Sequence, residues 1–210
     1  MAHLNLDEQE QISKLKYFWR DYGKYLIGFL LVIIVAYASS ELWTYKSEIN
    51  AKEAAIVYAK FTDALNNKDI KSVYANNEKL EKDYPTIEYS AFASLIAAKV
   101  AFTNGELVRS ATYLKWLISN TKDKGLIAIA KIRLADVYID QKNTKAALAL
   151  MMGKAEPQFK VLFYEKMGDL YVVTNDNTKA IDAYKLALEF SPGNDDLAQV
   201  IKMKLDTLGH

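Results

Sequence analysis

"KMGDLYVVTNDNTKA", residues 166–180, repeats the earlier stretch "RLADVYIDQKNTKA", residues 133–146. The two stretches match when one residue is inserted in the turn. A fixed period of roughly 20 to 50 residues is typical of proteins that stack one supersecondary unit several times, and the period here is about 33 to 34 residues. The sequence therefore predicts a repeated unit of two antiparallel helices joined by a short turn.

The last unit, residues 161–194, supports this interpretation position by position. Its first helix carries Tyr164, Met167, Gly168 and Tyr171, its second carries Ala180, Tyr184 and Ala187, and Pro192 follows. These offsets resemble the tetratricopeptide signature, in which small residues let two helices approach and large residues fill the space beside them. The unit therefore predicts a tetratricopeptide-like helical hairpin.

Earlier units keep the pattern in a weaker form and at a slightly longer spacing. Their matching positions are Ala135, Tyr138 and Ala146 or Ala147 in one unit, and Ala98, Ala101 and Ala111 in the unit before it. We expect one more helix pair over residues 48–84. A last helix, residues 195–208, is expected to cover the open end of the stack, as the terminal repeats of a solenoid must.

The remaining pattern also indicates helices. Glycines and prolines fall mostly between stretches in which apolar residues recur at helical spacing. No segment alternates apolar and polar residues for long enough to predict a strand. The sequence therefore predicts an all-α solenoid of helical hairpins over residues 44–210, with about nine helices of about 10 to 20 residues each.

A single apolar stretch precedes this domain. In "FWRDYGKYLIGFLLVIIVAYASSELW", residues 18–43, an uncharged run extends from Tyr25 to Ser40 and aromatic residues crowd both of its ends. A helix from Tyr25 to Trp43 covers roughly 27 Å, close to the roughly 30 Å of membrane hydrocarbon, and aromatic belts are typical of both interfaces. We predict one transmembrane helix over residues 25–43.

A cleaved signal peptide is the alternative for this stretch, because Ala36-Tyr37-Ala38 has the A-x-A form of a cleavage site. Against cleavage, acidic residues precede the run, no glycine or proline lies just before the supposed cut, and the apolar pattern continues through Trp43.

Basic residues are more frequent before the run than after it. The positive-inside rule then predicts a cytoplasmic segment 1–24 and a domain on the far side of the membrane.

Composition argues against several classes of function. The net charge is +1, with 27 basic and 26 acidic residues well mixed, so no basic face predicts nucleic-acid binding. The absence of cysteine excludes disulfides and thiol nucleophiles, and the two histidines, His3 and His210, lie near the two ends of the sequence. Phosphate-binding and hydrolase motifs are absent too. We expect neither an enzyme nor a bound metal, cofactor or small-molecule substrate.

In a tetratricopeptide stack, the first helix of each pair lines the concave side. Counting from the matched positions gives a predicted protein-binding groove formed by Phe92, Leu95, Lys99, Phe102, Ile129, Ile132, Asp136, Ile139, Leu162, Glu165, Asp169 and Val172. Eight of these twelve residues are apolar, and exposed apolar patches mark interaction sites. We hypothesise that the groove accepts an apolar or extended protein segment, with the four charged residues at its edge. The alternative is that these side chains form closed core.

The chain resembles the YfgM family of Gram-negative bacteria over nearly its whole length. The likeness rests on "FWRDYGK" at residues 18–24, the spanning helix, "ASLIAAKVAFTNGELVRSA" at 93–111 and "KIRLADVYIDQKNTKAALALM" at 131–151. The resemblance implies an inner-membrane protein with its domain in the periplasm, an accessory of the SecYEG translocon. It implies association with a PpiD-like periplasmic chaperone and help in handing exported chains to folding factors, with no catalytic residues.

Two other functions remain open at this level. The chain can be a scaffold of another cell-envelope complex that makes no contact with exported chains. If the apolar stretch is removed, it can be a cleaved, soluble periplasmic binding protein.

Overall fold

The computed structural model of the protein describes residues 6–153, 155–191, 193 and 196–209. His3, His210 and Pro192, which entered the sequence analysis, lie outside these residues. Nine α-helices and one short 3₁₀ helix, with no strand, make up the regular structure of the described part. The predicted all-α class is therefore confirmed.

The helices follow one another with short connections. Their bounds are α1 Leu6–Asn66, α2 Ile70–Asp83, α3 Glu88–Thr103, α4 Leu107–Asn120, α5 Lys124–Asp140, α6 Thr144–Met151, α7 Lys160–Val173, α8 Asn177–Phe190 and α9 Asp196–Thr207, with a 3₁₀ turn at Pro157–Phe159. Most lengths agree with the sequence expectation, but α1 is much longer and α6 is shorter. Helix α1 is long because no glycine or proline occurs between positions 29 and 66 to end it.

The chain divides into two compact units, Met1–Asn50 and Ala51–His210. In the first unit, the apolar side chains of α1 from Tyr25 to Tyr37 are exposed almost without exception. By length and composition, α1 is the one helix in the described part that can cross a membrane. Its exposed apolar surface is what a lipid-facing helix presents.

In the second unit, one turn is built four times. Lys68, Gly105, Lys142 and Asn175 each adopt a positive φ, from 56° to 77°, between the two helices of a hairpin. The residue after each of them donates its backbone N–H to the carbonyl five residues earlier, at 2.8 to 2.9 Å. This is the left-handed closure that satisfies the last carbonyls of a helix. The four turns recur at nearly regular intervals along the chain, as the turns of stacked repeats do.

The observed register corrects one sequence expectation. Asn143 caps α6 and Asp176 caps α8 with their side-chain oxygens, so these two residues are equivalent positions of successive hairpins. Ala147 and Ala180, both fully buried, keep the same offset. The expected insertion in the turn is therefore wrong, since an Asn or Asp directly follows the left-handed residue in both hairpins and caps the next helix.

Three connected clusters form the core of the second unit. The first joins Phe61 of α1 to helices α2 to α5, the second is centred on Met151 and Leu170, and the third contains Tyr184 and Ile201. Ala198 and Ile201 of α9 are buried, so α9 covers the apolar surface of the last hairpin. The structure thus contains the expected closing helix, at Asp196–Thr207.

Candidate protein-binding groove

The twelve predicted groove residues lie on three helices, α3, α5 and α7, which are the first helices of successive hairpins. Within each helix they follow one another at three or four residues, a spacing that places side chains on one face. The face is partly open. Phe92, Lys99, Phe102, Leu162 and Val172 are exposed, and Leu95, Ile129, Ile132, Asp136, Ile139 and Asp169 are half-buried.

Glu165 is the exception among the twelve, because only 9 % of it is exposed. Lys204 of the closing helix donates a charge-assisted hydrogen bond to its carboxylate. The expectation that Glu165 lies at an exposed groove edge therefore differs from the structure. Lys204 of α9 covers this position of α7.

Part of the predicted face meets in one cavity of about 190 Å³ between α3, α4 and α5, named here the α3–α5 pocket. It is lined by the predicted residues Lys99, Phe102 and Asp136 together with Ala98, Ser110, Leu114, Arg133 and Val137. The floor is apolar and buried, since Ala98, Leu114 and Val137 are at most 1 % exposed. The pocket is suited to an apolar side chain.

Other predicted residues lie elsewhere. Phe92 lines a separate cavity of about 480 Å³ with Trp116 and Leu126. Leu95 packs on the first core cluster, and Ile132 and Ile139 pack on the second. These half-buried side chains contribute to the core on one side while the other side faces the groove.

The charged residues form a chain of ion pairs, named here the inter-repeat network. Lys166 Nζ lies 2.8 Å from Asp136 Oδ1 and 3.4 Å from Asp169 Oδ2. Lys204 Nζ lies 2.6 Å from Asp169 Oδ1 and also bonds Glu165. The network therefore connects α5, α7 and α9.

Protonation in the network follows from these contacts. Burial alone raises the pKa of Asp169, but hydrogen bonds from Lys204 and from the Tyr184 hydroxyl, at 2.7 Å, outweigh it and hold the pKa below its ordinary value. Burial opposes the charge of Lys204, yet its bonds to Asp169 and Glu165 raise its pKa. Asp169 and Lys204 are thus both charged at neutral pH.

The sequence of this chain matches one family model and is similar to several proteins of known name. A family model described as a tetratricopeptide repeat-like domain matches residues 16–210. A protein of Neisseria gonorrhoeae named "Ancillary SecYEG translocon subunit" is 33 % identical over 97 % of this chain and 98 % of its own length. The chain belongs to the YfgM family. Two further YfgM-family relatives with the same name are 24 % identical in Haemophilus influenzae, over 97 % of this chain and 98 % of that protein, and 23 % identical in Escherichia coli, over 96 % and 97 %.

Sequence reasoning missed three cations of this YfgM-family groove: Arg133, Lys166 and Lys204. A signal existed for Lys166, which precedes Asp169 by three residues and so shares its helix face. No comparable signal pointed to Lys204, because its partners lie 35 and 39 residues away on another helix.

The groove offers no constellation for metal-dependent chemistry. Throughout the ranges that the structure describes, no three His, Asp or Glu side chains are grouped closely enough to hold a metal ion. The arrangement combines an apolar pocket, exposed apolar side chains and fixed charges.

Proposed function

We propose that this YfgM-family chain is a membrane-tethered adaptor at the Sec translocon that links exported chains to periplasmic chaperones, including a PpiD-like chaperone. The name of its relatives supports a role at the translocon. The tetratricopeptide-like fold supports protein partners, since such stacks present extended concave surfaces for binding.

The proposed topology has residues 1–24 in the cytoplasm, residues 25–43 across the inner membrane and residues 44–210 in the periplasm. The apolar character of α1 supports a span. The excess of basic residues before the span, among them Lys14, Lys16, Arg20 and Lys24, supports this orientation.

One observation carries the binding proposal: large apolar side chains at equivalent positions of α3 and α7 are exposed together on the groove face. Phe102 is 36 % exposed, and Leu162 and Val172 are each 38 % exposed. Exposed apolar side chains grouped on one face mark an interaction site, and the half-buried isoleucines of α5 lie between these two helices on the same face. An extended or apolar segment of an exported chain is the proposed occupant.

In-cell photocrosslinking tests this proposal. A photoreactive amino acid is placed at Phe102, Ile139 or Leu162 of the full chain, and at exposed Lys145 on α6 as the control. We expect adducts with translocon subunits, a periplasmic chaperone or exported chains at the groove positions and none at the control. Mass spectrometry identifies the partners.

Three other results of this experiment contradict the proposal. Adducts confined to cell-wall or other envelope proteins favour a scaffold without contact to exported chains. The intact mass of the same protein is also measured, and a mass that corresponds to a chain without the apolar stretch favours a cleaved, soluble binding protein. Silence at all three positions with normal protein levels means that the face is closed core.

A further inference from the structure

We propose that the α3–α5 pocket binds an apolar side chain of an extended protein segment together with a neighbouring acidic side chain of that segment. The inference rests on the proposed function, because it names the chemistry of the segment that the groove accepts. Three observations carry it: the apolar floor, two cations without carboxylate partners in the described part of the chain, and the continuation of the apolar face beyond the pocket.

The apolar floor of the α3–α5 pocket determines which side chain of the segment can enter it. Leu114 and Val137 are buried beneath the pocket, and the exposed ring of Phe102 stands at its wall. An apolar cavity of about 150 Å³ can hold a benzene ring. The 190 Å³ of the α3–α5 pocket therefore accommodates one aromatic or branched aliphatic side chain.

The charged residues around the pocket determine which side chain is favoured next to the inserted one. Lys99 and Arg133 both line it, and neither makes an ion pair with a carboxylate of the described chain. Arg133 Nη1 makes one hydrogen bond, 3.4 Å long, to the backbone carbonyl of Leu95. The acidic residue of the pocket, Asp136, is already paired with Lys166.

This arrangement leaves a positive surplus beside an apolar cavity. A carboxylate next to the inserted side chain would bond the half-buried guanidinium of Arg133 and the exposed ammonium of Lys99. Charge-assisted hydrogen bonds of this kind are the strong ones in proteins, and arginine is well suited to carboxylates. Charge complementarity thus selects an acidic neighbour over a basic or neutral one.

The carboxylate is assigned to an Asp or Glu within the segment rather than to a chain end. Exposed apolar side chains on the same helix faces continue past the pocket, with Phe92 on α3 and Leu162 and Val172 on α7. A segment that covers this face is longer than the pocket and passes through it. A segment that ended at the pocket with its terminal carboxylate would leave the exposed apolar side chains beyond the pocket uncovered.

A binding experiment with the full chain in lipid nanodiscs tests the inference. The probe is the fluorescein-labelled peptide Ser-Gly-Ser-Phe-Glu-Ser-Gly-Ser with its C-terminus amidated, followed by fluorescence anisotropy. Replacing its glutamate by glutamine, or its phenylalanine by serine, should weaken binding by about tenfold or more. Arg133→Gln and Lys99→Gln should weaken the glutamate peptide to the same degree and leave the glutamine peptide nearly unaffected.

Lys185→Gln, at an exposed position of α8, is the matched control and should change nothing. Circular dichroism melting checks that each variant is folded. If Arg133→Gln does not fold, the Lys99→Gln variant, whose side chain is exposed, tests the inference alone. Equal affinity for the glutamate and glutamine peptides overturns the inference. Tighter binding of a peptide that ends in Phe-Glu with a free carboxylate overturns the assignment to an internal side chain.

The two proposals fail separately. Crosslinks to exported chains at Phe102 and Leu162, combined with no dependence on the peptide carboxylate, would leave the adaptor function standing and remove the acidic preference. An absence of crosslinks together with an absence of peptide binding would remove both.

Discussion

Gly168 of α7 lies directly against the ring of Tyr184 of α8. A Cβ atom at position 168 would lie 2.5 Å from Tyr184 Cδ1 and 2.8 Å from Cζ, distances that real Cβ atoms do not show. The ring is buried, and its hydroxyl donates a 2.7 Å hydrogen bond to Asp169. The ring therefore cannot move aside without losing a contact, and the two helices approach because position 168 has no side chain.

Enlarging Gly168 should destabilise the domain. We expect Gly168→Ala to lower the free energy of unfolding by about 1–3 kcal/mol and Gly168→Leu to prevent folding, because the side chain must displace a packed ring. Urea unfolding of the full chain in detergent measures the change. Gly193→Ala is the control, since a Cβ there would meet open space. A Gly168→Leu protein that unfolds at the parent's midpoint would refute the proposed packing.

Removing the charge of Lys204 should weaken the closing helix. Lys204→Met leaves buried Glu165 without its cation and deprives Asp169 of one of two. We expect a loss of about 1–3 kcal/mol in the free energy of unfolding, below the value for a fully buried pair because the Lys204 side chain is 30 % exposed.

A surface pair provides the comparison for this variant. Lys79 and Asp83 form an exposed ion pair, 3.0 Å long, one turn apart on α2. Lys79→Met should lower the free energy of unfolding much less than Lys204→Met, because solvent screens an exposed pair. Equal losses for the two variants would mean that the inter-repeat network adds nothing beyond surface charge.

Acid should weaken the inter-repeat network through Asp169. Its folded pKa lies below the ordinary 3.8, so its contribution to stability is present above that pH and disappears as the pH falls through the folded value. Urea midpoints measured from about pH 7 to about pH 3 should therefore decline more steeply at the acid end in the parent than in Asp169→Asn. Asp182→Asn, exposed on α8, should keep the parental slope.

Glu81 should show the opposite dependence on pH. Burial raises its pKa, although Ser94 and Asn77 donate hydrogen bonds of 2.8 and 2.9 Å to its carboxylate. The folded state therefore favours the protonated acid, and stability falls as the pH rises from the ordinary value of 4.5 through the folded pKa.

Glu81→Gln should accordingly stabilise the domain at neutral pH. Glutamine keeps the acceptor oxygen for Ser94 and Asn77 and removes the partly desolvated charge. Thermal unfolding at pH 7 and pH 4 checks this, and the gain should shrink at the lower pH. A gain that is equal at both values, or a loss at pH 7, contradicts the assignment.

Truncations on the groove face should separate binding from stability. Leu162→Ala should lower the free energy of unfolding clearly less than Leu170→Ala, because Leu162 is 38 % exposed, whereas Leu170 is fully buried and its truncation should cost about 2–5 kcal/mol. Half-buried Ile139→Ala should fall between them. If the Ile139 and Leu162 double variant costs as much as Leu170→Ala, the face is core.

The repeated hairpins could be predicted because their determinants are local. Small residues such as Ala135 and Gly168 recur one repeat apart, and each is buried where the two helices of a hairpin approach. The exact turn could not be predicted from matching letters. The Asn-Thr-Lys-Ala motifs at 143–146 and 177–180 align by identity, while the caps at Asn143 and Asp176 show that the true register is one residue earlier.

The polar part of the site was harder to predict than the apolar part. Spacing along a helix placed Asp136, Glu165 and Asp169 on the groove face, but spacing does not tell which cation from a distant helix reaches each carboxylate. Lys204 contacts Glu165 only after α9 has packed on the last hairpin. Contacts between helices distant in sequence depend on how the helices pack, and they produce no recurring spacing of residues that the sequence would show.

Asp136 and Asp169 occupy the same position of two consecutive hairpins, and each meets a lysine from the helix that follows its hairpin. Both junctions are thus fastened by the same chemical coupling, once with Lys166 and once with Lys204. The two junctions therefore use the same pair of residue types, a lysine and an aspartate. A chain from which α7 and α8 were excised would still contain Asp136 on a first helix and Lys204 on the closing helix, the two residue types from which such a junction is made.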